Sequence, residues 1–84
     1  MTFVTRDVTK LFATARKERG MTQESLAKKL GYSTPQIISN WERGVVMPPV
    51  TRLKSICKAL HVDTTEVETL LVRGYKNQIR TYLN

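Results

Sequence analysis

A helix near the middle of the chain would leave several polar side chains facing outward. They are Gln36, Ser39, Asn40 and Arg43, with Ile37 as a further candidate. The amides of Gln and Asn can pair bidentately with adenine, and Arg can pair with guanine. These residue types therefore suggest contact with base edges, although ordinary solvated polar residues would face outward as well.

The charge of the chain favours a polyanionic partner. Its 84 residues include 14 Lys and Arg against 7 Asp and Glu, which gives a formal net charge of +7. Such a field attracts DNA, RNA, acidic proteins or anionic membranes, and a soluble, self-repelling surface would carry it as well. Hydrophobic residues make up 40% of the chain and charged residues 25%, which indicates a single globular domain over residues 1–84.

Simple counts exclude several kinds of site. Cys57 is the only cysteine and His61 the only histidine, which excludes an internal disulfide and a Cys/His zinc site. We expect no metal and no cofactor, and no enzyme either, because the few carboxylates do not converge on a catalytic set. An apolar run of about 18 residues is absent, and the N-terminal residues lack the apolar segment of a signal peptide. We therefore expect a cytoplasmic protein that does not contact membranes.

Glycine and proline residues divide the chain into five predicted helices, and the apolar spacing between them is helical rather than alternating. The first helix is expected over about residues 6–19, with Thr5 as its N-cap and an apolar stripe that begins at Val4. The second begins after the N-cap Thr22 and ends at Gly31. The first third of the chain is therefore predicted to be two helices joined by a short link.

The remaining three helices complete a predicted all-α fold. The third has Thr34 as its N-cap and Pro35 at its first position, where the missing N–H costs nothing. The fourth runs from residue 50 or 51 to residue 60, and the fifth, capped by Thr64, continues almost to the C-terminus. Gly74 either is tolerated inside the fifth helix or breaks it.

The second and third helices have the features of a DNA-binding helix-turn-helix, in which two short helices meet at a tight turn containing glycine. Ala27 is small enough to permit a close helix crossing, and Gly31 can adopt a positive φ in the turn. The apolar side chains predicted to lie between the two helices are Leu26, Leu30, Ile38 and Trp41.

The chain resembles the Cro/repressor type of helix-turn-helix, the XRE family of bacterial and phage regulators. The matching text is Arg16, GMTQESLAKKLG at residues 20–31, ISNWERG at residues 38–44, Pro48, and the segment from Leu53 to Val62. The match covers about residues 8–71. It implies a lambda-repressor-like bundle of five helices, with a core in about residues 6–71 and a C-terminal helical extension in residues 64–84.

The resemblance also implies roles for individual side chains. The residues that it places at base edges in the major groove are Gln36, Ile37 and Asn40. The residues that it places at DNA phosphates are Gln23, Thr34, Ser39 and Arg43. It matches Arg16 and Glu42 to a pair that forms a structural, partly buried ion pair.

Two further basic residues follow the proline pair directly. Arg52 and Lys54 come just after Pro48 and Pro49, at a connection that leads into the fourth predicted helix. We consider both as candidates for a clamp on the DNA backbone, with plain surface residues as the equal alternative.

One departure from the family pattern bears on these assignments. Between Gly31 and Ile38 the chain has six residues, YSTPQI, which is one more than the commonest family spacing. We place the extra residue in the turn near Tyr32 and Ser33, because the threonine and proline that follow make a sound helix start. An insertion elsewhere would rotate the first residues of the third helix by about 100°, so Asn40 is the base contact that depends least on this placement.

The fifth helix carries more apolar surface than a monomer of this size needs to cover. The residues that we expect to bury against the same helix of a second chain are Leu71, Tyr75, Ile79 and Tyr82. A two-fold homodimer of this kind would read a palindromic site with half-sites about one helical turn apart. The alternative is that this stretch folds back on its own domain.

These observations predict a sequence-specific DNA-binding transcriptional regulator that is encoded by a bacterium or a phage and is associated with the nucleoid through DNA. We expect a repressor that binds double-stranded operator DNA as a homodimer and occludes the promoter. Two alternatives remain open. One is an antitoxin that represses its own operon and also binds a toxin protein, and the other is a protein-interaction adaptor that does not bind DNA.

Overall fold

The computed structural model describes residues 5–84, and in that range it has five α-helices and one short 3-10 turn. Residues 5–84 contain no strand, so the predicted all-α class is confirmed. Val4, where the first apolar stripe was predicted to begin, lies outside the described residues. The elements in chain order are α1 (Arg6–Glu18), α2 (Gln23–Lys29), α3 (Gln36–Glu42), the 3-10 turn (Val50–Arg52), α4 (Leu53–Leu60) and α5 (Thr64–Leu83).

Helices α2 and α3 begin at local hydrogen bonds made by threonine side chains. Thr22 Oγ1 accepts from the Ser25 N–H at 2.9 Å, which satisfies one of the free donors of the first turn of α2. Thr34 Oγ1 accepts from the Gln36 N–H at 3.2 Å, and Pro35 already has helical dihedral angles, with φ −72° and ψ −10°. The start of α2 follows the sequence prediction, whereas α3 begins one residue later than predicted, with Pro35 at the N-cap position and Gln36 as the first helical residue.

The predicted caps of α1 and α5 need correction. Thr5 precedes α1, but its side chain is buried and makes no capping hydrogen bond. At α5 the cap is Asp63 rather than Thr64, because Asp63 Oδ1 accepts from the Thr65 N–H at 2.8 Å. A carboxylate is favoured at this position since it accepts the bond and also interacts with the positive end of the helix dipole.

Helix α5 is the longest element, and only its first half belongs to the core. Gly74 lies inside it without breaking it, and the helix runs for 20 residues, or about 30 Å. Val67 is buried, and Leu70 and Leu71 are partly buried against the core, whereas most side chains further along are exposed. The second half of α5 therefore extends beyond the packed domain, consistent with a long axis of 42 Å against 23 and 21 Å for the other two.

All five helices contribute side chains to one hydrophobic core. Val8, Ile38 and Ile56 are among its least exposed members, and burial of a side chain of this size stabilises the fold by about 1.5–3 kcal/mol. Cys57 is a free thiol inside this core, and its burial, together with the charge of Asp63, raises the pKa of the thiol. The thiol therefore stays protonated at neutral pH and packs as a small apolar group.

Removal of the α5 cap distinguishes the two residues that compete for this role. We expect Asp63→Ala to lower the free energy of unfolding by about 1 kcal/mol, because the first turn of α5 loses its acceptor and a favourable charge. Thr64→Ala is the matched control and should lower the free energy of unfolding by only a few tenths of the loss expected for Asp63→Ala. Urea unfolding followed by circular dichroism measures both variants, and a larger loss for Thr64→Ala would contradict the assignment.

Candidate nucleic-acid interface

Helix α3 has one face in the core and the other at the surface. Ile38 and Trp41 are 1% and 3% exposed and lie against the rest of the core. On the opposite face Gln36 and Arg43 are exposed and Asn40 is half-buried, as their helical spacing predicts. The face that α3 presents to solvent is therefore mostly polar.

Two other predicted contact residues of α3 lie on its flanks. Ile37 is half-buried and packs against the core, because it sits about 100° around the helix from Gln36. Ile37, which the resemblance places at base edges, thus lies between the core and the outer face of α3, and its contact with a base stays a prediction. Ser39 is half-buried on the other flank.

The turn before α3, where we expect the extra residue, depends on a glycine. Gly31 has φ +85°, a conformation that residues with a Cβ rarely adopt. The N–H groups of Gly31 and Tyr32 donate to the carbonyls of Lys28 and Ala27 at 3.0 and 2.8 Å, which closes the C-terminus of α2. Tyr32 is half-buried and Ser33 is exposed, so the chain bends directly after α2.

The exposed polar residues of α3 are hydrogen-bonded to one another. Asn40 Oδ1 accepts from Gln36 Nε2 at 3.0 Å and from Arg43 Nη2 at 2.7 Å. The second bond is charge-assisted and therefore the stronger of the two. The three side chains form a connected polar row along about two turns of helix, in which the guanidinium of Arg43 stays beside the amides.

This polar row has a consequence for recognition. Bidentate pairing with adenine uses both the oxygen and the nitrogen of an amide, and the oxygen of Asn40 is already an acceptor for two donors. Binding to a base therefore requires that Asn40 gives up or shares at least one of these bonds.

The C-terminal end of α3 is held by a buried ion pair. Arg16, which is 8% exposed, donates through Nε to Glu42 Oε2 at 2.6 Å and through Nη2 to Glu42 Oε1 at 3.1 Å. Its Nη1 donates to the Met21 carbonyl at 2.7 Å. Gln23 Nε2 donates to Glu42 Oε1 at 2.9 Å. The Glu42 carboxylate thus joins the end of α1, the start of α2 and the end of α3.

The remaining predicted phosphate contacts differ in what they can still bind. Thr34 and Lys54 are exposed, although the Thr34 hydroxyl also caps α3. The amide of Gln23 is directed at Glu42. Arg52 donates through Nε to the Tyr32 hydroxyl at 3.1 Å and through Nη2 to the carbonyl oxygen of Leu30. The guanidinium predicted to clamp DNA is thus bound within the protein.

Sequence reasoning missed this contact between Arg52 and the turn. The Arg52 guanidinium lies over the Tyr32 ring, with Cζ 4.7 Å from the ring centroid. Tyr32 in turn meets Trp41 edge-to-face, with ring centroids 5.6 Å apart. The one local signal was an aromatic residue directly after Gly31 in an enlarged turn, and nothing in the sequence relates it to a residue 20 positions later.

A second surface lies on α5, away from the amides of α3. Tyr75, Ile79 and Tyr82 are 55%, 36% and 68% exposed, and they share one side of the helix. Val50 and Val72 extend this apolar strip, with exposed fractions of 82% and 47%. Leu71 instead is half-buried against the core of its own domain, so it lies at the border between the core and the strip.

The described residues lack the features of two other kinds of site. Residues 5–84 contain no cluster of three or more His, Cys, Asp or Glu side chains that could hold a metal ion. Within the same residues, none of the helices combines the length and the apolar character needed to cross a membrane.

The chain is similar to known DNA-binding regulators. A helix-turn-helix family model matches residues 12–67. A protein of Sinorhizobium fredii (strain NBRC 101917 / NGR234), the uncharacterized HTH-type transcriptional regulator y4dJ, is 40% identical over 58 residues, which is 69% of this chain and 74% of that protein.

Solved structures of a restriction-modification controller protein, C.Esp1396I, have a similar fold. The wild-type protein is 28% identical, with a TM-score of 0.67, and the match covers 92% of this chain and 99% of that one. The C.Esp1396I tetramer in complex with its natural 35 base-pair operator is 30% identical, with a TM-score of 0.66, over 88% of this chain and 96% of that one. These matches confirm the predicted helix-turn-helix fold.

The ion pair at the end of α3 gives a direct stability test. We expect Glu42→Ala to lower the free energy of unfolding by up to about 3–5 kcal/mol, because Arg16 is left buried without its carboxylate. The double variant Arg16→Met with Glu42→Leu should lose less than Glu42→Ala alone, since no unpaired charge remains. Urea unfolding of the single and double variants measures this difference, and strictly additive losses would show that the two side chains are not coupled.

Proposed function

The chain belongs to the helix-turn-helix family of transcriptional regulators, and from this membership we propose that it is a repressor that binds a palindromic operator as a homodimer. The observation that carries the proposal is the polar row of Gln36, Asn40 and Arg43 on the outer face of α3. This row belongs to the second helix of the helix-turn-helix, which enters the major groove in this motif. The whole chain of residues 1–84 acts in this proposal as one DNA-binding domain.

The amides of Gln36 and Asn40 are the proposed readers of base edges. The N-terminal part of a recognition helix contacts bases in this motif, and both amides lie in the first two turns of α3. Ile37, on the flank, contributes only apolar contact at the edge of the groove, such as with the methyl group of a thymine. Specificity in this proposal depends chiefly on two uncharged side chains.

Contacts with phosphates are assigned to residues on or next to α3 and to Lys54 of α4. Thr34 and Ser39 supply hydroxyl groups, and Arg43 and Lys54 supply exposed positive charge. Gln23 and Arg52 already use some of their N–H donors for hydrogen bonds within the protein. Only their remaining donors are available to a phosphate. We therefore assign the main electrostatic contacts to Arg43 and Lys54.

The exposed strip on α5 is the proposed dimer interface. Tyr75, Ile79 and Tyr82, with Val72 beside them, would leave a continuous apolar surface in water if the chain stayed monomeric, and such strips mark interaction sites. A second copy that packs the same strip against it forms a two-fold interface. The oligomeric, operator-bound state of C.Esp1396I is in keeping with this arrangement.

Repression follows from occupancy of the site. A dimer bound to two half-sites about one helical turn apart covers the DNA between them, and an operator that overlaps a promoter then excludes the polymerase. The protein acts without a cofactor in this proposal, and its occupancy is set by its concentration.

The base-reading role of Asn40 is tested on an operator obtained by selection of bound DNA from a random pool. We expect Asn40→Ala to weaken binding to this operator by about 1–3 kcal/mol, or roughly 5- to 150-fold, and to relax the preference at one base position. Fluorescence anisotropy measures both affinities. Asn77→Ala, the same change on the exposed part of α5, is the matched control and should bind as the wild type does.

The outcome also separates the proposal from its alternatives. Equal affinity of wild type and Asn40→Ala for the operator would remove Asn40 from the reading surface. Failure of the wild type to enrich any DNA sequence would overturn sequence-specific binding itself and favour an adaptor that does not bind DNA.

The dimer interface is tested by placing a charge in the apolar strip. We expect the wild type to be a dimer at micromolar concentration and Ile79→Glu to be a monomer, because the new carboxylate would be buried against the second copy. Size-exclusion chromatography with light scattering measures the mass of each. Asn77→Glu puts the same charge on a different side of α5 and should leave the dimer intact. A wild type that stays monomeric, both free and on operator DNA, would contradict the proposed interface.

A further inference from the structure

The turn of the helix-turn-helix is held from outside the motif. Arg52 belongs to the 3-10 turn before α4, yet its Nε donates to the Tyr32 hydroxyl and its guanidinium covers the Tyr32 ring. Its Nη2 donates to the carbonyl of Leu30, the residue that ends α2. One side chain therefore contacts the last turn of α2 and the first residue of the enlarged turn.

Tyr32 passes this restraint on to α3. Its ring meets the Trp41 ring edge-to-face at 5.6 Å and an interplanar angle of 80°, an arrangement that stabilises an aromatic pair beyond simple burial. Trp41 is 3% exposed and follows Asn40 directly in the chain. A displacement of the Tyr32 ring thus acts on the residue next to a proposed base reader.

The base of this stack adjoins a helix that is anchored in the core. Arg52 leads directly into α4, where Ile56 and Leu60 are each 1% exposed in the core. The positive charge of Arg52 also lies at the C-terminal end of α2, where cations interact favourably with the helix dipole. The contacts form an unbroken line from α4 through Arg52, Tyr32 and Trp41 to α3.

We propose that Arg52 and Tyr32 are positioning residues that determine DNA sequence specificity by fixing the angle of α3 against α2, without contact to the DNA. The inference rests on the proposed function and concerns how its reading surface is aligned. The contacts of Arg52 with Tyr32 and with the Leu30 carbonyl restrain the turn between the two helices. Hydrogen bonds to base edges weaken steeply with misalignment, so a small rotation of α3 lowers discrimination between bases before it lowers attraction to phosphates.

The experiment compares variants that separate charge from geometry. Arg52→Lys keeps the positive charge but loses the planar group that covers the ring and donates in two directions. Arg52→Met removes the charge, and Tyr32→Phe keeps the ring while it loses the hydroxyl. Lys58→Met, at an exposed position of α4 that the proposed function does not use, is the matched control for loss of one basic residue.

Three quantities are measured for each variant by anisotropy. They are the affinity for the selected operator, the affinity for operators with one changed base, and the slope of log Kd against log salt concentration. Thermal unfolding of each variant is recorded as well, and binding is measured well below the midpoint of unfolding. This arrangement keeps loss of stability apart from loss of specificity.

We expect Arg52→Lys and Arg52→Met alike to reduce the discrimination between correct and altered operators by about threefold or more, with the salt slope unchanged. Tyr32→Phe should retain most of the discrimination, because the stacked ring remains. The double variant of Arg52→Met and Tyr32→Leu should discriminate no worse than the poorer of its two single variants. Both changes break the same line of contacts, so their effects should not add.

Other outcomes overturn the inference in recognisable ways. Arg52 would be a phosphate contact if Arg52→Lys discriminated as the wild type does and Arg52→Met reduced the salt slope by about 1. Lower thermal stability with unchanged discrimination would leave the stack with a structural role only. Absence of any preferred site for the wild type would instead reject the proposed function, and that result is obtained before any variant is made.

Discussion

The orientation of α3 is the constraint on which the rest of this molecule depends. The helix has only seven residues, and an isolated helix of that length is unstable in water. Its direction must therefore be imposed by contacts with other elements. Glu42 supplies them at one end through Arg16 and Gln23, and the buried Ile38 and Trp41 supply them along its inner face.

Most of the fold was predictable because its signals are local. Glycine and proline divide the chain into helices of the right order, and Thr22 and Thr34 cap two of them within three residues in sequence. The α5 cap was assigned one residue late because Asp63 and Thr64 are both acceptable acceptors, and sequence alone does not rank them. The ion pair of Arg16 with Glu42 entered through the family resemblance and not through any rule of spacing.

The parts of the site that escaped prediction are those made by side chains distant in sequence. The basic character of Arg52 suggested a phosphate clamp, but its partner is an aromatic ring in another element. Ile37 is apolar and adjacent to a polar position, so only the rotation of α3 against the core decides where it points. Residue type tells what a side chain is able to bind, whereas the choice among partners depends on which surfaces the fold brings together.

In the proposed dimer, the two halves of α5 connect the reading surface of one subunit to that of the next. The first half is part of the core through Val67, and Arg73 in the middle pairs with Asp7 of α1 at 3.9 Å. A second copy bound to the exposed half would therefore be attached to a rigid body that includes α3. Once one subunit has bound its half-site, the α3 of the second subunit is held close to the other half-site. The second binding step is then intramolecular and proceeds at a high effective concentration. In the proposed complex the two amides of each subunit, each contributing about 1–3 kcal/mol of discrimination, act twice on one operator, because both subunits use the same contacts.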